Sequence, residues 1–485
     1  MWNDTFRRLH LTGSPHAAYE AVPEQPGGTP LPRAGAFNMK LVNTLLATCV
    51  AVVGVPATAK ADLVTDWNTI AVSTVAGDAV VNRQTRAMAM IQAAMFDAMN
   101  AIRPHYSPAL VTIGDIQGYA SREMAGAQAA HDVLVALFPA KQAQLDANLA
   151  ATAAQIPNDP PKGKQPKAKG IAAGQQAAAA VLALRANDHA FEVTPYVLQP
   201  AGPGVYQFTP NCTAANMSVP GWGKVTPFTV ADPDFFPLPA HPDPSDPQHI
   251  ADVIETRDYG RSNSTIRTPE QTTIALFFIE GSLTIVNRLA RTIVGQEPAA
   301  TNHSHAAKQL LAHARLFAAM NISVADTQIR TWRSKYGNNF WRPYTTVRFL
   351  FGDNTWQPLR QTPCHPEFFA AHGSVTPGGI VAIENYLGTD AVNVDATSTS
   401  NVGVTRHYTS LDQFIQDVNM ARIYAGFHYR STLQQSNVLG RAVANWVNDH
   451  MMVPLDDGGE GGSDGHYQGQ PVHDDYDGSN NESED

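Results

Sequence analysis

Charge, cysteine and strand-forming runs are all scarce in this chain, and each shortage excludes something. Charged residues make up only 16% of its 485 positions, against 44% hydrophobic ones. That balance suits a globular chain with a substantial core and rules out a disordered or collagen-like one. The formal charge of −10 is carried at one end. Ten acids and no Lys or Arg fall between Leu455 and Asp485, so the body is near neutral. No basic face is present to suggest a nucleic-acid partner, and the Gly/Asp/Ser-rich tail is expected to be disordered and solvating.

Cysteines number three. With so few, a disulfide-dense scaffold cannot be built. No Walker loop or H-E-x-x-H pair occurs, and the letters G-x-S-x-G fall only in the Gly/Asp-rich tail at 461–465, where no nucleophile elbow is expected. His303-Ser304-His305 has chelating groups but suits a solvated helix start better. After the N-terminal region, no apolar run reaches the roughly 20 uncharged residues of a membrane span; Thr273–Leu289 is interrupted by Glu280 and Asn287. An integral membrane protein is therefore not expected.

What is present begins with an address. Met39-Lys40, the apolar stretch to Pro56 and Ala59-Lys60-Ala61 read as a signal peptide cleaved before Asp62, behind an upstream extension. Export to the periplasm or medium follows. Cys49 lies in that signal, leaving Cys212 and Cys364 either to pair or to sit as two buried thiols.

Helical spacing dominates the remainder. It predicts helices over 76–102, 120–138, 141–156 and 170–188, with a Pro/Lys-rich linker at 157–169. A long irregular stretch, 193–246, is dense in Pro, Gly and aromatics and is placed as a wrap shaping a site entrance. Helices resume over 269–280, 283–294, 303–321, 324–335, 378–387 and 410–449. The fold class is all-α, built as helical bundles. Four regions result: 1–61 extension and signal, 62–246, 247–453, and the tail from 454 to 485.

Five residues in the last third carry the chemistry: Lys335, Arg342, His372, Arg422 and His428. They lie in K-Y-G-N-N-F-W-R-P, H-P-E-F-F-A-A-H-G and A-R-I-Y-A-G-F-H. Three cations and two imidazoles suit a site that holds a phosphate-shaped anion and moves protons around it. Lys335 and Arg342, two helical turns apart, are expected on one side of a helix that Pro343 stops or kinks. Gly426 allows a break between Arg422 and His428.

This pattern, K-x6-R-P, a histidine block and R-x5-H, resembles the superfamily of vanadium haloperoxidases and type 2 phosphatidic acid phosphatases. The likeness extends upstream through A-R-L-F-A-A-M-N-I-S-V-A-D-T-Q-I-R-T-W-R-S-K, where it is closest to the haloperoxidases. The resemblance implies their all-α fold and vanadate as cofactor, or none in a phosphatase. Lys335, Arg342, Arg422 and the Gly373 backbone would hold the oxyanion's oxygens. His428 would be the vanadium ligand or the phosphorylated nucleophile, and His372 the acid/base. Glu280 would orient Arg422, and Trp332 and His365 would border the halide, with His365 leaning toward bromide.

Three departures stand out. Ala370 replaces a serine and Ala371 a glycine, while Thr432 replaces the Asp expected to orient His428, so another carboxylate or a carbonyl must do so. Expected partners are small molecules: hydrogen peroxide, halide and an organic acceptor, or a phosphate ester. A non-catalytic oxyanion-binding protein is the third reading, and homo-oligomerisation is left open.

Overall fold

The computed structural model describes residues 62–455, apart from 115, 117–118, 157–165, 233 and 238. The signal segment, most of the linker and the acidic tail from 456 lie outside the described residues. The described residues hold thirteen α-helices and one two-stranded hairpin, an all-α fold.

α1 (Leu63–Val75) opens the chain. Asp62 caps it by accepting the Thr65 N–H, and Val64, Trp67, Ala71, Val72 and Val75 form its buried stripe. α2 (Val81–Ile102) is buried along almost its whole length. It packs against α3 (Arg122–Leu137), α5 (Pro166–Leu184) and α9 (His303–Asn338), while α4 (Gln142–Gln155) stays largely exposed beside α3. The later helices are α6 (Pro247–Gly260), α7 (Pro269–Phe277), α8 (Ser282–Val294), α10 (Pro343–Phe351), α11 (Ala371–Leu387), α12 (Leu411–Tyr424) and α13 (Arg430–His450). α9 and α13 flank α11, and a Cβ on Gly440 of α13 would run into the Ser374 carbonyl. One continuous core includes α1, α2, α8, α9 and α11, so it crosses residue 246. No single helix among the described residues is long and apolar enough to span a membrane; the bent pair α7 and α8 passes by length and composition only.

Several boundaries differ from the sequence reading for identifiable reasons. The break placed between 321 and 324 does not exist, because α9 runs unbroken through its polar residues. Asn321 donates to Asn287 (3.1 Å) and to the Phe317 carbonyl (2.9 Å), and Ser323 donates to Ala319 O, so nothing polar is left to interrupt the helix. α11 starts seven residues earlier than expected, with Pro377 inside it. Proline removes one N–H, but α9 and α13 pack on both sides and hold the helix together. The single segment 410–449 is two helices, split where Gly426 adopts φ +79°. The pairing of β1 (Ala391–Thr397) with β2 (Thr405–Ser410) has no clear sequence signal, since only Val394, Ala396 and Tyr408 are buried.

Among its described residues, the stretch 193–246 forms turns, two short 3-10 helices and an isolated β-bridge from Val205 to Phe340, and it lies across α9. Fully buried Asp326 pins it there, accepting the N–H groups of Phe228 (2.7 Å) and Thr229 (2.9 Å) and the Thr229 hydroxyl. A second tie is covalent: Cys212 and Cys364 are disulfide-bonded, with Cα atoms 5.3 Å apart, resolving the two readings in favour of pairing. The bond spans 152 residues of sequence. Closing so long a loop in the unfolded chain is expected to contribute about 2–4 kcal/mol. A C212S/C364S protein should lose that much in chemical denaturation, and the wild type should lose it on reduction.

Candidate oxyanion site

The five residues come together from five separate chain ends. Lys335 is in the last turn of α9, and Arg422 in the last turn of α12. Arg342 is the residue before Pro343 that starts α10, not a second station on α9 as expected. α9 ends at Asn338 because Asn339 turns left-handed (φ 48°), and the chain re-enters a helix at Pro343. His372 stands in the first turn of α11, whose leading N–H groups have no intrahelical acceptor and face outward with the positive end of the helix dipole. His428 lies in the link between α12 and α13. A Cβ on Gly426 would collide with Gly260 O and Pro358, so glycine serves the close approach as well as the turn.

All three cations are buried, and they donate mostly to backbone carbonyls and imidazoles. Lys335 donates to the carbonyls of Pro366 (3.1 Å) and Glu367 (2.9 Å). Arg342 donates to His365 O (2.9 Å), His365 Nδ1 (2.9 Å), Phe427 O (3.0 Å) and His428 Nε2 (3.3 Å). Arg422 donates to Phe278 O (3.0 Å), and its buried Nε has no acceptor at all. Burial and mutual repulsion draw these groups down: Lys335 falls well below its ordinary value, and Arg422 falls to about 9 through burial and Arg342. An incoming anion would reverse both effects.

Glu367 answers the question raised by Thr432. Its Oε1 accepts from His428 Nδ1 (2.7 Å) and from the Thr432 hydroxyl (2.7 Å). Thr432 therefore holds the carboxylate that holds the histidine. With the proton on Nδ1, the lone pair of His428 is on Nε2, on the cationic side. Burial, then Arg342, Lys335 and Arg422, keep His428 neutral by pushing it well below its usual value. Burial raises Glu367 to about 7 against the pull of Lys335, Thr432 and Arg342. Glu367 sits inside the quoted block H-P-E-F-F-A-A-H-G, yet only its contact with His428 identifies it.

His372 is fixed in the opposite sense. Its Nε2 reaches the Glu280 carbonyl (3.0 Å), which can only accept, so Nδ1 is left as the basic atom. Burial and Arg422 depress it to about 3.

Glu280 requires a correction. Its carboxylate pairs with Arg288 (2.8 Å and 2.5 Å) and accepts from Thr399, not from Arg422. Its contribution to the site is the backbone carbonyl. Gly373 packs on α13, where a Cβ would lie 3.0 Å from Leu433 and 3.2 Å from Ser436, so helix packing accounts for its missing side chain. Ala370 caps α11 without a side-chain bond, and its own N–H goes to Ser436 (2.9 Å). His365 is buried against Arg342, with its ring 5.3 Å from that of Trp332. Trp332 donates to Ser218 O (3.1 Å), and its ring lies 5.9 Å from the Lys335 ammonium. In front lies a cavity of about 540 Å³, lined in part by Trp332, His365, His372, Arg422, His428 and Met217 of the irregular stretch.

An acceptorless buried guanidinium nitrogen, an excess of cations over carboxylates and an imidazole lone pair fixed from behind form a donor set that would fit an oxyanion whose central atom can accept that lone pair. Vanadate meets that description. His428, Lys335, Arg342 and Arg422 would hold it.

Two outcomes follow from this geometry. A Glu367→Gln protein should bind orthovanadate roughly 10- to 100-fold more weakly in calorimetry, the usual cost of removing a ligand's orienting partner. His372 takes up its proton near 6.5 when unfolded and near 3 when folded. Its contribution to stability is therefore complete above 6.5 and is lost as pH falls toward 3. Melting temperatures of the His372→Gln protein should decline less steeply than those of the wild type between about pH 6.5 and 4.

Comparison with known proteins bears on the fold. Residues 315–457 match the family described as the VCPO second helical-bundle domain. No curated protein matches the chain in sequence. Among solved structures, a bacterial vanadium-dependent iodoperoxidase superposes with TM-score 0.66 at 20% identity, covering 80% of this chain and 97% of its own. Apo- and holo-type bacterial vanadium-dependent chloroperoxidases each give TM-score 0.59, at 16% and 14% identity. Their matches cover 76% and 81% of this chain and 92% and 93% of theirs. The chain thus has the vanadium haloperoxidase fold, with all five site residues inside the segment that carries that family's second helical-bundle domain.

Proposed function

We propose that this protein is an exported vanadate-dependent haloperoxidase, oxidising halide with hydrogen peroxide. The observation that carries the reading is His428: a neutral imidazole, its Nδ1 proton held by Glu367, presents Nε2 among three buried cations. Vanadate bound there would supply Lewis-acid activation of peroxide without changing its own redox state.

The chain's own residues do the rest. Lys335, Arg342 and Arg422 neutralise negative charge in a water-poor setting, where each is stronger than in bulk solvent. Halide, hydrogen peroxide and one proton give hypohalous acid and water: two electrons leave the halide, and the O–O bond breaks. Peroxide must lose protons on binding, and one must return to the departing oxygen. His372 can accept at Nδ1 while Nε2 stays on the Glu280 carbonyl. Negative charge beside it raises its affinity for that proton.

Bromide is the halide proposed, on the strength of His365 beside Trp332 at the cavity wall. The disulfide favours an oxidising compartment and supports export. The same His428 could be a phosphorylated nucleophile, so hydrolysis is the alternative to test.

Protein incubated with orthovanadate should brominate a phenol-red indicator in the presence of peroxide and bromide, and vanadate-stripped protein should not. His428→Ala should lower that rate at least about 100-fold. Phosphate-ester hydrolysis that vanadate inhibits, with no halogenation, would replace the reading with a phosphatase. Vanadate binding with neither activity would leave an oxyanion-binding protein.

A further inference from the structure

We propose that Thr399, at the tip of the β1–β2 hairpin, and Arg288 of α8 are positioning residues for His372. By gripping the Glu280 carboxylate, they fix which nitrogen of that imidazole carries the proton. This rests on the haloperoxidase reading and deepens it by naming the residues that set its acid/base group.

The carbonyl that receives His372 Nε2 stands in a sharp corner. Residues 278–281 join α7 to α8, and the two helices are bent by 94°. This short link supplies two acceptors to the site, Phe278 O to Arg422 (3.0 Å) and Glu280 O to His372 (3.0 Å). On its inner side the link borders the cavity through Ile279 and Gly281. A Cβ built on Gly281 would meet nothing within 4 Å, so the corner is not braced from that side.

Support comes from the hairpin behind it. Ser398 donates to the Phe277 carbonyl (2.6 Å). Thr399 donates twice to the Glu280 carboxylate, from its hydroxyl (2.6 Å) and from its backbone N–H (3.3 Å). Arg288 pairs with both Glu280 oxygens and also donates to the Thr397 carbonyl (2.7 Å), which ties the same carboxylate to the hairpin a second way. Thr399 and Glu280 are 119 residues apart, so no local turn brings them together. The Glu280 side chain is only 3% exposed. Burial opposes its charge, but Arg288 and Thr399 outweigh that and hold the carboxyl below its usual value. A carboxylate bonded on both oxygens has little freedom, and the carbonyl facing His372 belongs to the same residue. The acceptor that a neutral imidazole meets selects its protonated nitrogen. Were the Glu280 carbonyl to loosen, the proton could move to Nδ1, the atom that must be free to accept one.

The nitrogen NMR signals of the His372 ring test this in the full chain, with isotope-labelled histidine and no vanadate. They are assigned by their loss in His372→Gln. Wild type should show a protonated Nε2 and a bare Nδ1. Thr399 is exposed, so Thr399→Val should fold. In that protein, and in Arg288→Met, both signals should move toward the average of two exchanging tautomers. Thr399→Ser keeps the hydroxyl and should restore the wild-type pattern. In vanadate-loaded Thr399→Val, kcat for bromide oxidation should fall about tenfold and KM for bromide should change less than about twofold. A wild-type pattern in both Thr399→Val and Arg288→Met overturns the proposal, as does a serine variant that behaves like the valine one. Bromination by wild type is measured alongside. Its absence overturns the haloperoxidase reading and leaves the tautomer result standing, whereas bromination with unmoved tautomers overturns only this proposal.

Discussion

Charge imbalance is the constraint around which the site is built. Three basic groups are buried around a single carboxylate, and that carboxylate is occupied by His428 and Thr432. Burying an ion costs several kcal/mol unless its donors are satisfied and its charge is met. The carbonyls of Phe278, His365, Pro366, Glu367 and Phe427 satisfy donors but carry no net charge. The charge itself is left for an anion to meet. Folding energy from the extensive core on α1, α2, α8, α9 and α11 must support this strain, and the ligand recovers it on binding.

The two histidines show how environment divides labour between identical side chains. Each ring is assigned by the atom behind it: a carboxylate behind His428 and a carbonyl behind His372. Both acceptors place the proton away from the working nitrogen, and both rings stay neutral because burial first, and then the neighbouring cations, oppose a charge on them. One is strongly polarised by a full negative charge and is suited to ligation. The other is held by a neutral dipole and is freer to gain and release a proton.

Much of this was legible in the sequence, and the remainder was not for physical reasons. Helical periodicity located most helices, and the spacing of cations and imidazoles singled out five residues that the fold brings together. Helix continuity through Asn321 was hidden because it depends on Asn287, a partner 34 residues away. The partners of Glu280 and Glu367 were hidden likewise. A carboxylate in a sequence carries no label for the cation or imidazole it will meet, and Arg288 was as eligible as Arg422. Gly426 was readable because a backbone requirement is local, and Thr432 could be flagged but not resolved without seeing Glu367. The Cys212–Cys364 choice needed the distance between two residues 152 apart.

The anchoring of the cations by main-chain carbonyls has a bearing on which changes the site tolerates. Any amino acid supplies a carbonyl, so the side chains of Phe278, Pro366 and Phe427 can drift as long as the chain keeps its path. Insertions or deletions there would remove acceptors that substitutions spare. Around such a centre, loop length is therefore constrained more tightly than residue identity.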